Sequence, residues 1–566
     1  MTRIELPGEK RVGHLTLLRE PRSISPREFN TLSFAERLEI VQRTTGADKY
    51  RLLVEADDGA ALARRLPAQE VFSLIKEVGM DDAGDLLAIS STEQLTAFID
   101  LDCWRGDSFD EEAGLNWLKM LMECGEEKVL TTLDEMDYGL LVLWLKKHVA
   151  VTGPDEHEEE DHLKERLAND RIYDIQIKDS ETDKLLTSLF ELLKKENRDF
   201  YLRLMEGLCW ELDTELEEGV YRFRNSRLSD LGFPEPNEAF GVYSWIDPKS
   251  YDPAETRRFP VETGETGVAA PDFVLSTVIP ENLLGQLLDR GLDNDRLWEL
   301  TFLVNKIMIA DRVDPGDREA MTASASILYR YVNIALEHLS GGDVDEASSA
   351  YQAAYLEHLF RLGFSLTLRL QWRAKKVKAS SIAPYLDPLF QDFVQALAQR
   401  KPQFFEGVEE PAAGQARPFA TLEDVHCAEH WMEHLEAQQH FFEEALPFSM
   451  APPELVDLEG CIPDSAEGLK LSDFFLTALA NKLLGRQFAP HPVPVEDLPV
   501  LHEKISRNGR LDADLRKKTV QWAESLVASA GDFVDFSLDG WHKEFCALKP
   551  DQLDPRFIGG LIVKVA

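Results

Sequence analysis

Apolar residues recur at intervals of three and four along most of the chain, the spacing of amphipathic helices. Near the N-terminus the pattern comes in units of an apolar helix, a glycine, an acidic residue and an apolar pair. Three copies are visible: Gly46, Asp48, Leu52 and Leu53; Gly79, Asp81, Leu86 and Leu87; Gly125, Glu126, Val129 and Leu130. A short helix pair cannot bury its apolar face alone, so stacked copies predict a solenoid-like array. Gly46 and Gly79 lie 33 residues apart, Gly79 and Gly125 46 apart. The 13 extra residues match the polar stretch 103–110, read either as a loop on the binding edge or as a plain connection capped by Trp104.

Start and stop signals set the helices. Ser33 and Glu36 make a capping box. Residues 67–78 begin at Pro67, end at Gly79 and carry Val71, Leu74, Ile75 and Val78 at helical spacing. Further helices are predicted over 183–195, 198–216 and 218–231, the last stopped by Gly232 and Pro234. Asn237 is the predicted cap of 238–245. The longest patterns are 317–339, ending at Gly341 and Gly342, and 343–378, predicted to return antiparallel. Strand signals are few: residues 172–177 alternate, and residues 557–565 read as a short strand.

This pattern makes an all-α, multi-domain helical array with an N-terminal superhelical repeat region and very few short strands. Residues 1–30 read as a flexible tail, 31–150 as the repeat domain and 151–170 as an acidic linker. Residues 171–401 read as a central long-helix domain, 402–420 as a linker and 421–566 as a C-terminal helical domain. Residues 253–271 mix Pro, Gly, Thr and Glu and read as an exposed loop.

Composition narrows the partners. The 61 basic and 102 acidic residues give a formal charge of −41. Such a surface repels phosphate backbones and anionic lipid, which disfavours nucleic acid and a membrane; it suits high solubility, cations or a basic protein partner, and an acidic soluble protein with no charge-selected partner is the default reading. No stretch reaches the roughly 20 apolar residues of a membrane helix, and residues 1–30 lack the apolar core of a secretory signal. Six scattered cysteines, none in a CxxC pair, fit a reducing cytoplasm.

Candidate chemistry is sparse. His426, His430 and His434 fall at i, i+4 and i+8 on one helix ridge, with Glu433 beside them and Glu423 and Glu429 close by. Neighbouring histidines on a ridge can share a divalent metal. At about 100° per residue the ridge lies opposite the stripe of Leu422, Val425, Met432, Leu435, Phe442 and Leu446, so it faces away from the main core. A polar helix face is the default reading, a zinc-type site the alternative. A di-iron centre would need a second Glu-x-x-His on a core helix, and the other one, Glu159 with His162, lies in the acidic run. No phosphate-binding glycine loop and no GxSxG elbow is present. His338 and His358, each in a Leu-Glu-His-Leu, read as structural histidines at a helix seam. Arg369, Arg373, Lys375, Lys376 and Lys378 form a basic island, read as complementing a helix C-terminus or as a dock for the acidic residues 155–161.

Two resemblances add to this. Leu66-Pro-Ala-Gln-Glu-Val-Phe-Ser-Leu-Ile-Lys-Glu-Val-Gly79, running on to Leu101, Asp102, Cys103 and Trp104, resembles the helical N-terminal domain of MgtE-type magnesium transporters. That resemblance implies a superhelix of short helices, without transport. Asn225-Ser-Arg-Leu-Ser-Asp-Leu-Gly-Phe-Pro234 with Glu238-Ala-Phe-Gly-Val-Tyr-Ser-Trp-Ile-Asp-Pro248 is similar to a bacterial family of unknown function, and implies no activity. The expected function is a non-catalytic protein-interaction or regulatory scaffold of the bacterial cytoplasm. The alternatives are a metal-binding protein or metal-dependent enzyme using His426, His430, His434 and Glu433, and a small-molecule pocket between the long middle helices.

Overall fold

A computed structural model describes residues 4–5, 9–12, 15–18, 23–153, 173–178, 182–254, 282–290, 294–409, 414–507, 509–549 and 553–565. Most of the acidic run and of the stretch 253–271 lie outside the described residues. Helices dominate, and among the described residues strands occur only in two- and three-stranded pieces, as the periodicity predicts. The chain divides into two compact units, Met1–Ser244 with Asp252–Arg361 and Trp245–Tyr251 with Leu362–Ala566.

In the first unit the three repeat glycines carry the conformation their role requires. Gly46, Gly79 and Gly125 have φ of +62°, +101° and +97°, a region that penalises any residue with a Cβ. Helix Ala68–Val78 therefore stops at Gly79, and Glu111–Glu123 gives way at Gly125 to Glu126–Glu135. Helix Gly46–Val54 packs on Ala68–Val78 and on Gly84–Ile89, which packs in turn on Glu111–Glu123. Leu52, Leu53, Leu86, Leu87 and Val129 are buried by this stacking. The box of Ser33 and Glu36 is present, and a second one, Ser25 with Glu28, starts a short helix Pro26–Asn30. Residues 103–110 form a hairpin, Trp104–Arg105 with Ser108–Phe109, whose Trp104 and Phe109 rings pack edge to face in the core.

Charges buried in the array are paired. Lys49 binds Glu70, and Lys76 Nζ stands 2.7 Å from Asp102, which also accepts from Trp117 Nε1 at 2.8 Å. Asp100 is fully buried and takes Arg227 through both oxygens, at 2.6 and 3.0 Å. Strand Asp174–Ile177, within the predicted 172–177, pairs antiparallel with Val149–Thr152.

Some helix boundaries depart from the predicted ones. The break expected between 216 and 218 comes earlier: the first helix ends at Trp210 and the next runs Asp213–Asp230, because Glu211 and Leu212 are extended and Lys146 takes the Glu211 carbonyl. The 343–378 helix is two, Val344–Ala353 and Leu356–Lys378, interrupted at Ala354. The stretch predicted as helix 238–245 is Pro236–Ala239 followed by a tighter turn, Phe240–Tyr243, since Pro236 takes the first helical position.

The second unit packs helices Leu422–His440, Leu471–Leu483, Ala513–Leu526 and Ala530–Glu544 around Phe441, Phe442, Phe475 and Phe533. Residues 402–420, read as a linker, contribute an antiparallel pair, Gln403–Phe405 with Ala416–Pro418. Val563–Lys564 is the middle strand of a three-stranded piece, antiparallel to Cys461–Ile462 and parallel to Val493–Pro494. Two arginines of the basic island dock on acids of helix Leu422–His440. Arg373 holds Glu436 through two bonds of 2.8 and 2.9 Å, and Arg369 reaches Glu429 at 3.5 Å.

Candidate functional sites

The histidine helix is capped by Thr421 and Asp424 and buries Val425, Ala428, Met432 and Leu435. The predicted ridge lies off this face: His426, His430 and Glu433 are exposed, and His434 is half-buried. The structure brings two of the four predicted residues together. His430 Nε2 and His434 Nε2 stand 3.1 Å apart, with the rings nearly perpendicular. His434 Nδ1 lies 3.4 Å from Asp532, in the first turn of helix Ala530–Glu544. Among the described residues, no group of three or more His, Cys, Asp or Glu is close enough to hold an ion, so His426 and Glu433 do not complete a set. Cys427 points elsewhere. Its thiol is pushed up to about 11 by burial and by Glu409.

A cavity of about 380 Å³ lies in the first unit. One wall is the end of helix Asp213–Asp230. There Gly232, at φ +82°, lets the Phe302 ring approach to where a Cβ would stand 2.0 Å from it. Helix Asn294–Asp311 supplies Glu299, Phe302 and Lys306, and the interruption at Ala354 supplies Tyr355, Glu357 and His358. Buried Arg296 donates to the carbonyls of Tyr351, Gln352 and Ala354, while Glu299 accepts from Leu356 N at 2.7 Å. Lys306 Nζ binds both oxygens of Glu357, at 2.9 and 3.1 Å, and lies 3.8 Å from Glu238. His358 Nδ1 is buried without a hydrogen-bond partner among the described residues. Burial, helped by Arg361, holds the imidazole below its usual pKa, so it stays neutral at pH 7.

A second cavity, of about 490 Å³, lies in the second unit against Asp387, Lys470, Asp473 and Glu544. Burial pushes the Asp473 carboxyl up to about 6, although it accepts from Lys470 N at 2.8 Å. Asp387 is raised for the same reason, with Lys470 at 3.4 Å opposing. Sequence reasoning missed this group. Asp387, Asp473 and Glu544 are separated by 86 and 71 residues, and no local spacing joins them.

A family model described as a family of unknown function, DUF6178, matches residues 26–564. The chain belongs to that family. No curated protein and no solved structure matches it. The DUF6178 match takes in the histidine helix and both cavities. The motif stretch 225–248 singled out by sequence lies inside it and lines the first cavity through Ser229, Gly232, Pro234 and Glu238.

Proposed function

We propose that this member of DUF6178 is a non-catalytic interaction or regulatory scaffold of the bacterial cytoplasm, binding a protein partner rather than nucleic acid or a membrane surface. The observation that carries this reading is the way the repeat array uses its buried charge. Lys49 with Glu70, Lys76 with Asp102 and Arg227 with Asp100 tie one helix to another. Such pairs favour one stacking register over others and so suit a rigid platform. The acidic exterior suits a basic protein surface. The six free cysteines fit a reducing compartment, and Cys103, Cys124, Cys427, Cys461 and Cys546 have thiols raised chiefly by burial, which disfavours a nucleophilic role. No described helix is long and apolar enough to cross a membrane.

Reciprocal co-purification tests the scaffold. One protein recovered at fixed stoichiometry with either partner tagged, and lost when Asp100→Asn loosens the array, is the expected result. Turnover of any metabolite by the native chain in cell extract, absent from the heat-unfolded chain, would overturn it.

A second reading, a small polar ligand in the first-unit cavity, is favoured by the unpartnered His358 Nδ1 beside Lys306 and Glu357. A thermal-shift screen of small polar metabolites, repeated on His358→Ala, tests it. A hit that shifts both proteins equally argues against this cavity.

A further inference from the structure

We propose that His430 and His434 form a two-point imidazole clamp for a single divalent transition-metal ion, with Asp532 orienting one of the two ligands. This inference is independent of the scaffold reading, since a platform for partners requires no ion.

The separation of the two nitrogens carries the argument. Two ligands about 2.0–2.1 Å from a tetrahedral ion lie about 3.3 Å apart, and about 2.9 Å apart at a right angle. The observed 3.1 Å falls between these values. The two Nε2 atoms, one helical turn apart, are thus separated by a distance that a single ion can bridge once the rings turn their lone pairs toward it. The same contact serves as a hydrogen bond in the ion's absence, with one Nε2–H donating to the other Nε2. When an ion binds, the donating ring loses its proton from Nε2 and takes one up at its own Nδ1 through water, so both rings stay neutral and both Nε2 lone pairs are free for the ion.

Asp532 favours one tautomer of His434. Its Oδ2 lies 3.4 Å from His434 Nδ1. A carboxylate at that distance favours the proton on Nδ1 and leaves the Nε2 lone pair outward, and a slight shortening would make it the hydrogen-bonded partner that metal-bound histidines commonly have. It also adds negative charge beside the ion. Asp532 belongs to a different helix from the two histidines, so this support comes from tertiary structure and not from helical spacing.

Ligand chemistry sets the class of ion. Imidazole nitrogens suit Zn²⁺, Ni²⁺, Co²⁺ and Cu²⁺, whereas Mg²⁺ and Ca²⁺ require oxygen ligands. Two protein ligands leave the remaining positions to water. The ring of Trp431 lies 6.0 Å from His430 and 5.8 Å from His434, which places a fluorophore beside the ion.

The test uses the full-length, metal-stripped protein. Titration calorimetry with Zn²⁺ should give one site per chain, with no binding of Mg²⁺. His430→Ala and His434→Ala should each weaken Zn²⁺ at least tenfold, and Asp532→Asn by about tenfold, the usual second-shell effect. His426→Ala should leave affinity within twofold. Ni²⁺ should quench part of the tryptophan emission, and that part should be missing in Trp431→Phe. His426→Ala and His430→Ala should melt like the parent, because both side chains are exposed. Zn²⁺ affinity unchanged in His434→Ala, or weakened as much by His426→Ala, would overturn the clamp.

Discussion

Arg296 Nη1 and Glu299 Oε2 stand 2.6 Å apart, and together they satisfy both sides of the break between helices Val344–Ala353 and Leu356–Lys378. Arg296 takes three carbonyls at the end of one helix, and Glu299 takes the first N–H of the next. The break brings Tyr355 and His358 to the cavity wall, positions an unbroken helix would have set differently.

Replacing Arg296 with Met should therefore be costly. It leaves Glu299 and three carbonyls without their buried partner, a loss of about 3–5 kcal/mol for one side of a buried pair. Urea unfolding followed by tryptophan fluorescence would measure it, with Trp298 close by on the same helix. Removing both charges, in Arg296→Met with Glu299→Gln, should cost less than Arg296→Met alone. Equal stability of parent and single variant would contradict the assigned role.

Asp473 makes a signed pH prediction. Its folded pKa, about 6, lies above the ordinary carboxylate value, so between pH 4 and 6 the folded chain binds more protons than the unfolded one. The stability this group contributes is present at low pH and is lost as pH rises through about 6. The difference is on the order of 2–3 kcal/mol. Asp473→Asn keeps an acceptor for Lys470 N and removes the titration. The stability difference, variant minus parent, should rise between pH 4 and 7 and then level off. A flat difference would exclude the raised carboxyl.

Gly232 has two reasons to be glycine, its φ of +82° and the Phe302 ring in the place of a Cβ. Gly232→Ala should cost more than about 1 kcal/mol, the strain of a left-handed residue alone. Adding Phe302→Ala should recover the steric share and leave the backbone share, which paired thermal melts would separate.

Cys103 and Cys546 should resist alkylation at pH 7. Both are buried, and Cys546 is pushed up to about 11 by burial. Iodoacetamide labelling with mass spectrometry should modify them only on unfolding. Rapid native labelling of Cys546 would point to a reactive thiol and away from a structural one.

Much of the architecture was legible locally. The three glycines, the capping box at Ser33 and the apolar stripe through Val425, Met432 and Leu435 each encode structure within a turn or two of chain. Helical spacing likewise put His430 and His434 on one ridge, and the structure brings their nitrogens together. It could not reveal Asp532, about a hundred residues further on, because no local rule sets which helix packs there. The position of the break at Glu211 and the existence of the one at Ala354 were illegible for the same reason. Intrinsic propensity favours continuing both, and distant Lys146, Arg296 and Glu299 outweigh it by taking the freed backbone groups.

The order of apolar and polar positions by itself determined the helical class, the repeat and the acidic exterior, because these depend on period, composition and charge. Tertiary structure alone decided where helices break, which acids become buried and raised, and which groups line the cavities. Those outcomes depend on the desolvation of groups brought together from distant parts of the chain, as with Asp387, Asp473 and Glu544.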